Sequence, residues 1–249
     1  MTRYKLNLEY DGTDLIGWQE NHQGPSVQSV VKDAIEKFCG VRPDVVGAGR
    51  TDAGVHAVNM TAHFDLPDSA HDANTVMRAL DFYMADKPVS VLNCEIVSDE
   101  FNARFSCSAR HYKYRVLNRN ASPVLEKNRV YWVPRSLDLD AMRTAATKLL
   151  GNHDFTSFRA TQCQAKSPIK TLDKIEITKT GDEIIFEFSA RSFLHHMVRN
   201  IVGTLIEIGL GKPYDIDDVL NAKNRSAAGP TAPACGLYFI GADYNSMDV

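Results

Sequence analysis

The stretch Ala109-Arg110-His111-Tyr112-Lys113-Tyr114-Arg115-Val116-Leu117 alternates with a period of two: Tyr112, Tyr114 and Val116 point one way, His111, Lys113 and Arg115 the other. It reads as a half-buried strand, and it decides the fold because it restarts an order of elements that the chain has already run through once. Upstream, Tyr4, Leu6, Leu8 and Tyr10 alternate with Lys5, Asn7 and Glu9 before the turn Asp11-Gly12, which predicts a first strand. Ser26 then caps a helix in which Val27, Val30, Val31, Ala34, Ile35 and Phe38 recur at helical spacing until Gly40. Val45-Val46 and Thr61 to Leu66 read as two strands, His71 to Met84 as a second helix and Val89 to Val97 as another strand. Downstream, Leu139, Met142, Ala145, Ala146, Leu149 and Leu150 form a helix that Gly151 ends. Ile169 to Thr178 and Glu183 to Phe188 make a hairpin around Gly181-Asp182, Phe193 to Ile208 a long helix, Ile216 to Ala222 a short one, and Gly236 to Tyr244 a last strand. The expected fold is α+β: two split β-α-β (ferredoxin-like) halves, with mixed, largely antiparallel sheets joined around a central cleft. The expected division is 1–105 and 106–249.

A chain of 249 residues, 44% hydrophobic and 24% charged, is an ordinary globular composition, which argues against collagen-like, disordered and disulfide-scaffold classes. Its most apolar stretch, Phe193 to Leu210, is interrupted by His195, His196, Arg199, Asn200 and Glu207, so no membrane span is expected. Met1-Thr2-Arg3-Tyr4-Lys5 lacks the apolar region of a signal peptide, which predicts a cytoplasmic protein. Cys39, Cys94, Cys107, Cys163 and Cys235 are scattered and never form a C-x-x-C pair, so they read as reduced thiols. The net charge is −3, yet Phe101 to Arg135 carries Arg104, Arg110, Lys113, Arg115, Arg119, Lys127, Arg129 and Arg135 against the single acid Glu126. Such a run is either a solvated face or a polyanion site.

Four segments hold residues suited to chemistry. Gly47-Ala48-Gly49-Arg50-Thr51-Asp52-Ala53-Gly54-Val55-His56-Ala57 fails as a dinucleotide fingerprint, because Asp52 occupies the third glycine position and a strand follows. It reads either as a catalytic turn, with the Asp52 carboxylate near the Arg50 cation, or as a plain Gly-rich turn. In Arg191-Ser192-Phe193-Leu194-His195-His196-Met197-Val198-Arg199-Asn200-Ile201-Val202-Gly203, a helix would set His195, Arg199 and Gly203 on one face. Adjacent histidines project about 100° apart on a helix and make a poor metal pair. Phe101-Asn102-Ala103-Arg104-Phe105-Ser106 leads into Arg110-His111-Tyr112, an interleaving of aromatics and cations that suits stacking on bases beside phosphate. His153-Asp154 has no second histidine or aspartate at a supporting spacing for a metal phosphohydrolase.

Together these segments resemble the tRNA pseudouridine synthase A family over nearly the whole chain. The resemblance runs through Glu9-Tyr10-Asp11-Gly12, Gly17-Trp18-Gln19, Ser26-Val27-Gln28, Gly49-Arg50-Thr51-Asp52-Ala53-Gly54-Val55-His56, Ala103-Arg104-Phe105-Ser106 and Arg110-His111-Tyr112. It continues through Asp154-Phe155-Thr156-Ser157-Phe158-Arg159, His195 to Gly203 and Gly236-Leu237-Tyr238. It implies isomerisation of uridine to pseudouridine at positions 38, 39 and 40 of the tRNA anticodon arm, by a homodimer that uses neither metal nor organic cofactor. By the same resemblance Asp52 is the catalytic aspartate, Arg50 helps displace the target base, Tyr112 stacks on it and assists proton removal, and Arg199 pairs with Asp52. Arg104 and Arg110 are the further substrate-binding residues expected. Two departures stand out: Asn59-Met60 where the family has a Gly-Gln pair, and Tyr83-Met84-Ala85 where it has a Leu-Pro-like segment. The competing readings are a noncatalytic RNA-binding module and an oxidoreductase, the second resting on Gly47-x-Gly49 alone.

Overall fold

Burial follows the alternation. In the computed structural model of the protein, which describes residues 1–67 and 71–245, Tyr4, Leu6, Leu8 and Tyr10 of strand β1 (Thr2–Tyr10) all turn into the core. On its other face Lys5 pairs with Glu95 at 2.8 Å. β1 lies antiparallel between β3 (His56–Leu66) and β4 (Val89–Val97). The short β2 (Val46–Gly47) runs antiparallel to β3 at Ala62 and His63. Helices α1 (Val27–Cys39) and α2 (Ala73–Tyr83) make the connections, so the order β4-β1-β3-β2 is the split β-α-β pattern expected of the first half.

Both ends of α1 are written locally. Ser26 Oγ accepts the Ser29 N–H and Ser29 Oγ accepts the Ser26 N–H, each at 3.0 Å, while the N–H of Gly40, in a left-handed conformation, donates to Glu36 O at 2.8 Å. Such a cap is worth about 1 kcal/mol, and burial of Val27, Val30, Val31, Ala34 and Ile35 seats the helix. Gln28, buried on the same helix, donates Nε2–H to Val45 O at 2.8 Å and accepts from Gln19 Nε2 and the Glu20 N–H at 2.9 Å. The residues of the Asn59-Met60 departure both have structural work. Met60 is wholly buried, and Asn59 accepts from Asn7 Nδ2 at 2.6 Å beside the irregularity in the β1–β3 register.

Contacts divide the chain into two units. One is Met1–Arg110 with the segment from Tyr238, and the other is His111–Leu237. The expected division at 105 and 106 keeps the last strand with the second half. Instead β11 (Leu237–Tyr244) pairs in parallel with β3, Tyr238 opposite His56 and Phe239 opposite Ala57. β2 covers β3 only around Ala62 and His63, so the His56 end remains for β11.

The second unit repeats the order strand, helix, hairpin, helix. β5 (Cys107–Leu117) enters it at His111 and lies beside β10 (Glu183–Ala190), which pairs antiparallel with β9 (Lys174–Thr180) across Gly181-Asp182. β6 (Tyr131–Trp132) runs parallel to the end of β5. The helices are α3 (Leu139–Thr147), α4 (Met197–Gly209) and α5 (Ile216–Ala222). Tyr114, Phe155, Phe158, Phe186 and Phe188 fill the core, and Tyr114 Oη donates to Pro233 O at 2.7 Å.

Several elements depart from the expected bounds, among them β3, which begins at His56 and not at Thr61. α3 stops at Thr147, and Gly151 (φ 92°) opens β7 (Gly151–Asp154) instead of ending the helix. The strand expected over 169–178 breaks at Asp173, whose N–H donates to Ser189 O at 2.9 Å; β8 (Ile169–Leu172) pairs with β7 and β9 with β10. The long helix begins at Met197, not Phe193. His195 O is taken by the Ala160 N–H at 3.0 Å and His196 is left-handed at φ 63°, a conformation that no right-handed helix runs through, so α4 starts after it. His195 therefore does not share a helical face with Arg199 and Gly203. No helix among the described residues is long and apolar enough to cross a membrane.

Candidate active site

Asp52 sits half-buried in the turn between β2 and β3, with Arg50 exposed two residues before it. The turn is braced from the segment that follows β1. Thr51 O accepts the Trp18 N–H at 3.0 Å, and Thr51 Oγ1 lies 2.9 Å from Tyr10 Oη. Val55 N–H donates to Asp52 O at 3.2 Å, closing the turn, and Gly12 N–H donates to His56 Nδ1 at 3.1 Å. Gly17 has φ 103°, and a Cβ there would stand 2.5 Å from Thr51 O, so only glycine lets the two backbones meet. Behind the turn His56 is buried and stacks on Tyr238 with ring centroids 4.7 Å apart. Thr51, Tyr10, Gly17 and Trp18 are thus working parts that inspection of the turn alone does not reveal.

Arg104 and Arg110 belong to the same unit as the turn. Arg110 Nε donates to Ala48 O at 2.8 Å and its Nη2 to Arg104 O at 2.6 Å, which ties the approach to the Asp52 turn to the segment that follows β4. Partial burial, then the charges of Arg50 and Arg110, pull the Arg104 guanidinium below its ordinary range. Arg104 thus lies within electrostatic reach of two further arginines, a grouping of cations of the kind that attracts phosphate.

The segment after β4 hangs from His63, whose Nδ1 accepts the Ala103 N–H at 3.2 Å. Burial, and then the charge of Arg3, hold the His63 imidazole below its ordinary pKa. Above about pH 6.5 the ring is neutral whether the chain is folded or not. As pH falls below that, the unfolded chain takes the proton first and the fold loses stability until the folded ring also titrates. Urea unfolding midpoints should therefore decline from pH 7 to pH 5 more steeply for the parent than for His63→Gln; equal slopes would remove His63 from the acid response.

In the second unit, Tyr112 on β5 is half-buried and packs edge-on against Phe193, with centroids 5.0 Å apart and planes at 82°. The opposite face of β5 is occupied by partners on β10 and its surroundings. His111 Nδ1 lies 2.7 Å from Ser189 Oγ, and Arg115 meets Glu183 and, at 2.9 Å, Glu126. The basic run over 101–135 is thus not uniform: Arg110 is bonded to Ala48 ahead of the Asp52 turn and Arg104 feels the charge of Arg50, whereas Arg115 meets carboxylates and Arg119 lies 3.6 Å from Asp182.

Arg199, half-buried on the first turns of α4, donates Nε–H to Ala232 O at 2.8 Å and accepts the Ala232 N–H at its carbonyl at 3.1 Å. The strap over 228–232 is fixed from several sides. Asn200, wholly buried, donates Nδ2–H to Phe158 O at 2.8 Å and accepts from Arg225 Nη2 at 3.0 Å and Thr231 Oγ1 at 2.7 Å. Gly229 N–H donates to Thr204 Oγ1 at 2.9 Å. Gly203 permits this approach, since a Cβ there would lie 1.7 Å from Pro230 O. Asn200, Arg225 and Thr231 thus hold the strap whose Ala232 meets Arg199. Their relation spans 31 positions of sequence and has no local signature.

Comparison with known proteins names the class first. The profile of the tRNA pseudouridine synthases matches residues 145–245. Over the whole length the kinship is narrower. The chain is 51% identical to tRNA pseudouridine synthase A of Paramagnetospirillum magneticum across 99% of this chain and 96% of that protein. It is 50% identical to that of Brucella ovis across 98% of each. Among solved structures, one from a Cbf5-Nop10-Gar1 complex aligns over 95% of this chain and 49% of its own at TM-score 0.42 and 10% identity. The chain belongs to the tRNA pseudouridine synthase A family.

Proposed function

We infer that the protein isomerises uridine to pseudouridine in tRNA, at positions 38, 39 and 40 of the anticodon stem-loop, and that it does so as a cytoplasmic homodimer. The observation that carries this reading is the full-length kinship at about half identity. The reaction breaks the bond from uracil N1 to C1′, joins the same uracil to C1′ through C5, and moves the C5 proton away while N1 regains one. Nothing is oxidised or reduced. Asp52 supplies the anionic group at the sugar while the base is detached. Arg50, exposed beside it, fills the place of a base drawn out of the stem. Tyr112 stacks on that base and assists removal of the C5 proton, and Arg199 supplies positive charge to the reaction. Arg104 and Arg110 hold phosphate.

An unmodified tRNA transcript incubated with the purified protein and mapped for pseudouridine tests the reading. Modification confined to the three positions is expected, and none there would overturn it. Sedimentation of the pure protein tests the dimer. Tyr112→Phe keeps the ring against Phe193 and removes only the hydroxyl, so tRNA affinity should change by less than about 3-fold while turnover falls by about 10²-fold or more. Equal losses in both measurements would contradict the role given to the phenol. An RNA-binding module without chemistry predicts binding with no modified uridine, which the same transcript distinguishes.

A further inference from the structure

Phe105 is out of place by ordinary rules of burial. It is 77% exposed, although its neighbours Phe101 and Ala103 are buried completely or nearly so. Nor is it a loose side chain on a loose loop. Asn102 Oδ1 accepts the N–H groups of Arg104 at 3.0 Å and Phe105 at 3.1 Å. The N–H of Asn102 donates to Ser106 Oγ at 3.1 Å, and that of Ser106 returns to Asn102 O at 2.9 Å. Ala103 is held at both ends of its peptide, by His63 and by Tyr244 Oη, which donates to its carbonyl at 2.7 Å. The ring is therefore presented to solvent on a fixed stretch of backbone, so a ligand need not order the main chain that carries it.

The surroundings select the ligand. The guanidinium of Arg104 stands 5.6 Å from the Phe105 ring centroid, and Arg110 reaches the carbonyl of the same Arg104. A rigid aromatic face flanked by arginines complements a planar base attached to a phosphate, and it does so without regard to base identity. A protein partner seated on this patch would need carboxylates to meet the arginines, whereas RNA brings a π face and a negative charge on one nucleotide.

We propose that Phe105 is a stacking platform for an unpaired nucleobase of the tRNA, with Arg104 holding the adjoining phosphate. The assignment rests on the tRNA reading above, and the experiment separates the two. Binding and modification of an unmodified tRNA transcript by the parent protein test that reading. The platform is tested only by variants compared with a parent that binds.

Phe105→Ala should weaken tRNA binding about 5- to 150-fold, the range for loss of one base–aromatic stack. Phe105→Leu, which keeps apolar bulk without a π face, should lose most of the same affinity, and Phe105→Trp should restore it. The slope of log affinity against log salt should stay unchanged in all three, because stacking releases no counterions. Arg104→Ala should instead flatten that slope by about 0.7 to 0.9. Thermal midpoints of the Phe105 variants, which touch an exposed side chain, serve as the folding control. Parent-like affinity for Phe105→Ala, or full affinity for Phe105→Leu, would overturn the platform. A change in sedimentation with tRNA affinity intact would also overturn it, by assigning the ring to a contact between copies of the chain.

Discussion

Asp52→Asn is expected to remove isomerisation while leaving the fold and tRNA affinity nearly unchanged. The amide has the shape of the carboxylate, and the turn that carries it is held through main-chain atoms and neighbours: Thr51 by Trp18 and Tyr10, and Asp52 O by Val55. None of these bonds needs the carboxylate. What the proposed role would lose is a negative charge at the sugar, because the amide neither attacks nor takes a proton. Loss of the group that carries the chemistry costs on the order of 10⁴- to 10⁶-fold in enzymes where it has been removed alone. Single-turnover measurement with excess protein over transcript separates this from weaker binding. A rate within 10-fold of the parent under saturating protein would take Asp52 out of the mechanism.

Gly203→Ala is expected to destabilise the second unit, against the trend of helix propensity. In an exposed helix the same change would help by about 1 kcal/mol. Here the added methyl would stand 1.7 Å from Pro230 O and 3.2 Å from Ala232 N. Either α4 or the strap over 228–232 must move by more than an ångström, and the strap is already tied to Asn200, Arg225 and Thr204. Overpacking of this kind costs about 1–3 kcal/mol, and each kcal/mol lowers the melting midpoint by about 2–4 °C in a protein of this size. Because Ala232 O receives Arg199 Nε–H, turnover should fall further than tRNA affinity. A thermal melt with parallel kinetics decides it. A raised midpoint would mean that the strap yields freely and does not position Arg199.

Local codes were legible in the residues. α1 carries its own start at Ser26 and stop at Gly40, and, unlike β4, which loses its phase at Leu92-Asn93 where its register with β1 shifts, β1 declares itself by alternation. The same holds for the turn around Asp52, whose composition marks it. Elements whose limits are set by distant partners were not legible. The start of α4 depends on Ala160 capturing His195 O, and the break at Asp173 on Ser189. The braces of the Asp52 turn come from Tyr10, Gly17 and Trp18, which spacing alone does not connect to Thr51. Equally, no pattern distinguishes Arg104, among its fellow arginines, from Arg115, neutralised by glutamates across the sheet.

The pairing of β11 with β3 also imposes an order in time. A chain emerging from the ribosome releases β3 and the Asp52 turn early, but the strand that lies against His56 and Ala57 is made after the entire second unit. Until then Tyr238 is absent from the face of His56 and Tyr244 from the carbonyl of Ala103. The Asp52 turn of a nascent chain thus lacks this backing until β11 has left the ribosome and paired with β3.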